Sequence, residues 1–147
     1  MKIFDYADLG NKRSWDYSEK GITPEEDDIN PILITDKEIN MDKLFIINGI
    51  AYYVCSMSGK GNIRQVAYVE RLKNQAVFID DEEPEDKDYT NEITCPYCNT
   101  EIESWEMDEE DNEYECESCK STFSYQRIVT VEYCSQPVKK SIPIVLN

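Results

Sequence analysis

The chain has 147 residues, 31 Asp and Glu against 15 Lys and Arg, six cysteines and no histidine, for a formal charge of −16. Without histidine, Ser-His-Asp and Cys-His mechanisms are excluded, as is the usual acid–base group near neutral pH. The length fits one domain or two small ones, and no run of about 18 apolar residues offers a membrane span.

Residues 1–42 are mixed. Met1-Lys2-Ile3-Phe4-Asp5 meets an acid at once and lacks the apolar core of an export signal, so a cytoplasmic protein with reduced thiols is expected. Phe4, Tyr6, Leu9, Trp15 and Tyr17 follow no single period, which predicts a short strand or an irregular packing segment. Thr23-Pro24-Glu25-Glu26 reads as a helix start, limited by Pro31 to one or two turns. Ile32-Leu33-Ile34 suggests a short strand, and Thr35-Asp36-Lys37-Glu38 matches a second capping box with little room after it.

Residues 43–79 carry a clearer pattern. Leu44-Phe45-Ile46-Ile47, Asn48-Gly49 and Ile50-Ala51-Tyr52-Tyr53-Val54-Cys55 predict a β-hairpin, because Asn-Gly supplies the positive φ angles of a two-residue type I′ turn. That turn sets Ile47 opposite Ile50 and Phe45 opposite Tyr52, with Ile46–Ala51 and Leu44–Tyr53 on the other face. Both faces are apolar, so both need covers: the rest of this domain on one, and the cysteine module or a partner on the other. Residues 56–62 read as a loop, 63–72 as a third strand and 76–79 as a fourth. The expected fold class is mostly β, with α+β as the variant. A small antiparallel β-meander domain spans 1–79 and needs residues 1–42 or the C-terminus to close it.

Residues 80–92 are an acidic linker whose composition cannot bury enough apolar surface to fold alone. The acids extend beyond it. Residues 80–117 hold eighteen Asp or Glu and one Lys, a net −17, while the remainder sums to +1. Such a surface repels nucleic-acid phosphates and attracts basic protein surfaces. Blocks of like charge also occur simply as solvated stretches, and that reading stays open.

Within this acidic stretch and just past its end, Cys95-Pro96-Tyr97-Cys98 and Cys116-Glu117-Ser118-Cys119 form two C-x2-C pairs separated by seventeen residues. Two thiolates two residues apart reach one ion from a single turn, and a second pair closes a tetrahedron. Zn²⁺ takes four such ligands at about 2.3 Å in closed structural sites. The candidate metal ligands are therefore Cys95, Cys98, Cys116 and Cys119, around one structural Zn²⁺, with a β-hairpin carrying the chain out and back. Four thiolates and one Zn²⁺ sum to about −2, deepening the local field. Two disulfides are the competing use of the same residues, in an oxidising context the sequence does not support. Cys55 and Cys134 are left over, each in a predicted strand, and read as small buried hydrophobes.

The unit spans 93–136. Residues 102–107 and 112–115 are the expected arms, with the turn near Asp111-Asn112. A long strand over 122–133 would set Phe123, Tyr125, Arg127, Val129, Val131 and Tyr133 on its packed face. Trp105, Tyr114, Phe123 and Tyr125 are expected to form the module's own small core, because a base-stacking platform normally comes with a positive groove. Pro137 and Pro143 break the 137–147 tail, although Ile142, Ile144 and Leu146 offer an edge strand to the first domain.

Ile93-Thr94-Cys95-Pro96-Tyr97-Cys98-Asn99, Glu103-Ser104-Trp105-Glu106, Glu113-Tyr114-Glu115-Cys116-Glu117-Ser118-Cys119, Phe123 and Val129-Thr130-Val131-Glu132-Tyr133 resemble zinc-ribbon modules. More narrowly, they resemble the ribbons of small uncharacterised phage and prophage proteins. The resemblance covers about residues 92–138 and implies a three-stranded ribbon with a structural zinc on the four cysteines. Ribbons of this kind usually place Gly after the second cysteine of each knuckle; here those positions are Asn99 and Lys120. Asn tolerates the left-handed conformation, while Lys adopts it at a cost of about 1 kcal/mol or more. Lys120 also sets a cation beside the anionic centre.

The leading expectation is a non-enzymatic protein that works by protein–protein interaction. The zinc fixes the ribbon, and Glu106, Asp108, Glu109, Glu110, Asp111 and Glu113 face a basic partner surface such as the nucleic-acid channel of a host enzyme. By analogy with acidic anti-CRISPR and DNA-mimic proteins, the resemblance to phage ribbons implies an inhibitor of a host defence or nucleic-acid enzyme, acting in the host cytoplasm. One alternative is a nucleic-acid- or transcription-associated ribbon, which would need Lys60, Arg64, Arg71 and Lys73 to cluster as a basic patch. Another is an iron electron carrier resembling rubredoxin. Zn(Cys)4 has no open position for water or substrate, so an enzyme is the least expected class, and a homodimer is left open.

Overall fold

The computed structural model describes residues 1–60, 63–103 and 113–146. The chain is mostly β. It opens with β1 (Lys2–Asp5), a 3-10 turn at Tyr6–Leu9, helix α1 (Ser14–Lys20) and a second 3-10 turn at Pro24–Asp27. Then come β2 (Leu33–Ile34), β3 (Leu44–Ile47), β4 (Ile50–Lys60), β5 (Ile63–Arg71) and helix α2 (Gln75–Ile79). Four short strands close the list: β6 (Ile93–Thr94), β7 (Glu101–Ile102), β8 (Glu113–Glu115) and β9 (Thr122–Ser124).

One five-stranded sheet organises the first half, in the order β2-β1-β5-β4-β3. Its hairpin has the expected register, with Ile47 opposite Ile50, Ile46 opposite Ala51, Phe45 opposite Tyr52 and Leu44 opposite Tyr53. Asn48 and Gly49 turn it at φ 52° and 79°. The meander continues through β4 and β5, and β1 then adds in parallel to β5, Ile3 opposite Ala67.

Several local expectations are corrected. Residues 56–60 extend β4 rather than forming a loop. A register shift between Val54 and Ser56 sets Cys55 at an irregularity in that strand. Residues 76–79 are helical, not a fourth strand, so the meander has three strands and the sheet is completed by β1 and β2. Residues 14–20, read as irregular, form α1, which buries Tyr17 and ends on Gly21 in the left-handed conformation. Thr35 does not cap a helix; its hydroxyl accepts from the Lys37 N–H in a local turn. The strand predicted over 122–133 shortens to Thr122–Ser124, and residues 125–146 carry neither helix nor strand. Ile142, Ile144 and Leu146 are exposed there instead of edging the sheet.

Side chains alternate across the sheet, and each apolar face has a cover. On one face Ile3, Ile47, Tyr52, Val54, Ala67 and Val69 pack with Ile39 from the 35–43 segment. On the other, Phe4, Val66 and Tyr68 pack against Tyr6, Leu9 and Tyr17 from the N-terminal turns. Farther along that second face, Leu44, Ala51 and Tyr53 share a cluster with α2 and with the four cysteines of the C-terminal module. The cysteine module thus supplies the second cover of the hairpin.

Charged groups pin the rim. Arg71 Nε donates to Asp5 Oδ2 at 3.0 Å, and its guanidinium lies 6.0 Å over the Tyr52 ring. Lys2 pairs with Glu25 and Lys12 with Asp27. Gln75 finishes the hairpin from the side: its Oε1 accepts from Ala51 N–H at 2.8 Å, and its Nε2 donates to the Ala51 and Leu72 carbonyls.

Candidate metal centre

The two knuckles are built alike. Cys95 N–H donates to Thr100 O at 2.9 Å and Asn99 N–H to Cys95 O at 2.9 Å. In the second knuckle Cys116 N–H donates to Ser121 O and Lys120 N–H to Cys116 O, both at 2.8 Å. The residue after each second cysteine turns the backbone into the left-handed region, Asn99 at φ 66° and Lys120 at φ 62°. Lys120 therefore accepts the strain its position demands, and both knuckles close equally well.

Each knuckle rests on its own two-stranded ladder. Ile93 pairs with Ile102 beneath the first, and Tyr114 with Phe123 beneath the second. Among the described residues these are two separate hairpins, where the resemblance implies one three-stranded sheet. Of the arms expected over 102–107 and 112–115, Ile102 lies in β7 and residues 113–115 form β8, while residues 104–112, with the turn at Asp111-Asn112, lie outside the described residues.

The knuckles bring the four predicted ligands together. Cys95, Cys98, Cys116 and Cys119 are buried, and their sulfurs all lie within 4.8 Å of one another. Cys95 Sγ stands 3.6 Å from Cys119 Sγ, and Cys98 Sγ 3.7 Å from Cys116 Sγ. A tetrahedron with bonds of about 2.3 Å has sulfur edges of roughly 3.8 Å, so the set fits one tetrahedral ion. A disulfide needs about 2.05 Å, far shorter than either separation. The four cysteines can hold one metal ion, and such an all-thiolate tetrahedron suits zinc or iron.

The thiols are electrostatically coupled. The hydrogen bond with Cys119 draws Cys116 down to about 6, and that with Cys116 pulls Cys98 below the usual thiol range. Cys95 and Cys119 are pushed up, each chiefly by its hydrogen bond with Cys116. Protons shared within such a cluster leave when a cation takes their place.

Two further residues act on the sulfurs. Thr100 Oγ1 lies 3.1 Å from Cys98 Sγ, and hydrogen bonding from Ser121 favours the Cys119 thiolate. Both hydroxyls stand two residues beyond a second cysteine, so Cys98-Asn99-Thr100 and Cys119-Lys120-Ser121 repeat one device. The signal was in the sequence as a hydroxyl at matching positions. Lys120 Nζ donates to Glu117 O at 2.6 Å, spending its charge on the knuckle backbone.

The remaining candidates divide. Tyr114 and Phe123 meet edge to face at 5.9 Å and pack, with Tyr125, in the same cluster as the cysteines, as a module core should. Trp105, Glu106, Asp108, Glu109, Glu110 and Asp111 lie outside the described residues, while Glu113 is exposed on β8. Glu101, Glu103, Glu115 and Glu117 are exposed around the same module. Arg71 is engaged with Asp5 and Tyr52, Lys73 is exposed, and the side chains of Lys60 and Arg64 lie outside the described set.

Cys55 is half-buried against the Tyr68 cluster, and burial raises its thiol to about 12. Cys134 is exposed and lies in no strand, contrary to its expected burial, because the strand that was to hold it ends at Ser124.

Among the described residues, no helix is long and apolar enough to cross a membrane. No protein-family model, no curated protein and no solved structure matches this chain.

Proposed function

We propose that this protein is a non-enzymatic, acidic zinc-ribbon protein that acts by binding a basic surface on a protein partner. The observation that carries the reading is the net −17 of residues 80–117, a stretch that holds Cys95, Cys98 and Cys116 and ends two residues before Cys119. Zinc is the preferred ion because a closed tetrahedron of thiolates is its usual structural site and leaves no vacancy for chemistry. The ion supplies rigidity; the chain's carboxylates supply recognition.

The partner class follows from the charge. Lys- and Arg-rich channels that hold nucleic-acid phosphates are strongly basic protein surfaces, and an array of carboxylates competes for them. With the resemblance to phage ribbons, this makes the protein a phage-type inhibitor or DNA mimic directed at a host defence or nucleic-acid enzyme, in the host cytoplasm.

The test is affinity capture from host lysate with metal-loaded protein, beside a variant carrying Glu109→Lys, Glu110→Lys and Asp111→Lys. The parent is expected to retain a nucleic-acid-binding protein that the variant loses and that competitor duplex DNA displaces. Equal recovery by both proteins would set the acidic-surface reading aside.

A further inference from the structure

We propose that residues 128–134 form a β-strand donated to the open edge of the five-stranded sheet in a second copy of this chain. The proposal stands independently of the acidic-surface reading.

The donor is a strand sequence that has no sheet of its own. Ile128, Val129, Val131 and Tyr133 are 59%, 74%, 72% and 92% exposed. β-branched and aromatic residues at this density form strands where a pleated surface receives them. Val129, Val131 and Tyr133 fall on one face at a period of two, and Pro137 ends the run. Scattered exposed apolar side chains are ordinary on a protein surface, but a run of this kind marks a surface for association.

The acceptor is β3, which ends the strand order. In a two-residue hairpin the closing pair, Ile47 with Ile50, exchanges hydrogen bonds, and so does the next-but-one pair, Phe45 with Tyr52. Leu44 and Ile46 must then aim their N–H and C=O groups away from β4, at the open edge. The partner strand bears this out: Ala51, opposite Ile46, gives its N–H to Gln75 and its carbonyl to Gln75 and Leu72. The strand itself carries no Lys, Pro or bulge to blunt the edge, and the Ile46 side chain is 63% exposed on it. The opposite edge, β2, has two residues and offers too little ladder.

Charge selects the occupant. Residues 126–146 carry Arg127, Lys139 and Lys140 against Glu132, a net +2, while the rest of the chain sums to −18. The strand itself carries only Glu132, but its cationic flanks, Arg127 before it and Lys139 and Lys140 after it, are drawn to the acidic body of another copy, which also offers the matching edge. In its own chain the same segment stands exposed, off the sheet. Paired with β3, Val129, Val131 and Tyr133 extend the apolar surface that begins at Leu44 and Ile46.

Sedimentation equilibrium of the full-length, metal-loaded protein tests this, with amide exchange of the peptide covering β3 measured on the same samples. The parent is expected at twice the chain mass of 17.2 kDa. Val131→Pro removes a ladder donor from a segment that makes no core contact, and Ile46→Lys charges the edge. Each should weaken self-association by about tenfold or more and speed exchange at Leu44 and Ile46, without changing metal content. Val138→Pro, outside the segment, should leave the dimer intact. A monomeric parent overturns the proposal, as does a dimer that survives either Val131→Pro or Ile46→Lys. Slow exchange at Leu44 and Ile46, whose N–H groups face the open edge, in a monomer also overturns it, because the tail would then be docked on its own chain.

Discussion

Asn99 and Lys120 occupy the same place in the two knuckles, with φ angles of 66° and 62° and the same backbone hydrogen bond to the first cysteine of each pair. The conformation suits Asn and costs a lysine about 1 kcal/mol or more. Lys120→Gly should therefore stabilise the metal-loaded protein by about 1 kcal/mol, and Lys120→Val should destabilise it by at least as much. Asn99 adds a second cost, since its Oδ1 is buried without a hydrogen-bond partner among the described residues. Thermal unfolding of the three proteins with metal bound is the check. A Lys120→Gly protein that melts below the parent would mean that the Nζ contact to Glu117 outweighs the strain.

Gln75 is a second residue whose side chain does a backbone's work. Ala51 is 1% exposed, and its N–H is met by Gln75 Oε1. Gln75→Ala leaves that donor buried and unmet, for a loss of about 1–3 kcal/mol. Gln75→Glu keeps the acceptor but turns a carboxylate oxygen toward the Ala51 and Leu72 carbonyls, so it should cost more. Urea unfolding of both variants measures the order.

Metal removal should be felt beyond the cysteine module. Leu44, Ala51, Tyr53, Leu72, Phe78 and Ile79 share one cluster with the four cysteines and Phe123. The Tyr53 hydroxyl also donates to Glu70, and hydrogen bonding from Ser118 in the second knuckle acts on the same oxygen. Loss of a bound ion should thus expose the second face of β3 and β4 and lower the melting of the sheet together with the cysteine module. Calorimetry with and without a strong chelator distinguishes this from independent behaviour. A sheet transition at an unchanged temperature would show that the shared cluster contributes little.

What was legible from sequence follows from how local each determinant is. Asn48-Gly49 fixes a turn type, and the turn type fixes a register, so the hairpin could be read to the residue pair. The four cysteines were legible because ligand spacing is a local geometric demand. The pairing of β1 with β5 joins residues more than sixty positions apart, and no local pattern encodes it. Ala76-Val77-Phe78-Ile79 has strand composition, yet the edge of β5 that a fourth meander strand would have taken is occupied by β1, and the segment folds as one helical turn. Residues 125–133 show the converse: a strand pattern is a propensity, and a ladder needs a partner edge.

Thiol reactivity should separate the six cysteines into three classes. Cys134 is exposed and should react first with an alkylating reagent in the native, metal-loaded protein. Cys95, Cys98, Cys116 and Cys119 should follow only after chelation. Cys55 should be last, because burial and the Glu70 charge raise its thiol to about 12. Mass spectrometry of timed samples gives the order. Early labelling of Cys55 would contradict its packing against the Tyr68 cluster.

Alkaline pH should unfold the N-terminal packing through two tyrosines. Tyr17 and Tyr68 are each 1% exposed. Desolvation raises both from 10.0 to about 12, reinforced at Tyr17 by its 3.0 Å hydrogen bond to Asp27. A group whose ionisation is raised by folding contributes its full stability below the unfolded value and loses it as pH climbs through the folded one. Each tyrosine should therefore contribute about 2–3 kcal/mol that is intact below pH 10 and lost between pH 10 and about 12. Urea unfolding across that range should show a falling midpoint, with a shallower fall in Tyr68→Phe. Tyr17→Phe should also flatten the slope, but from a lower starting stability, because the Asp27 acceptor is then left without its phenol. A slope unchanged in both variants would place the alkaline sensitivity elsewhere in the fold.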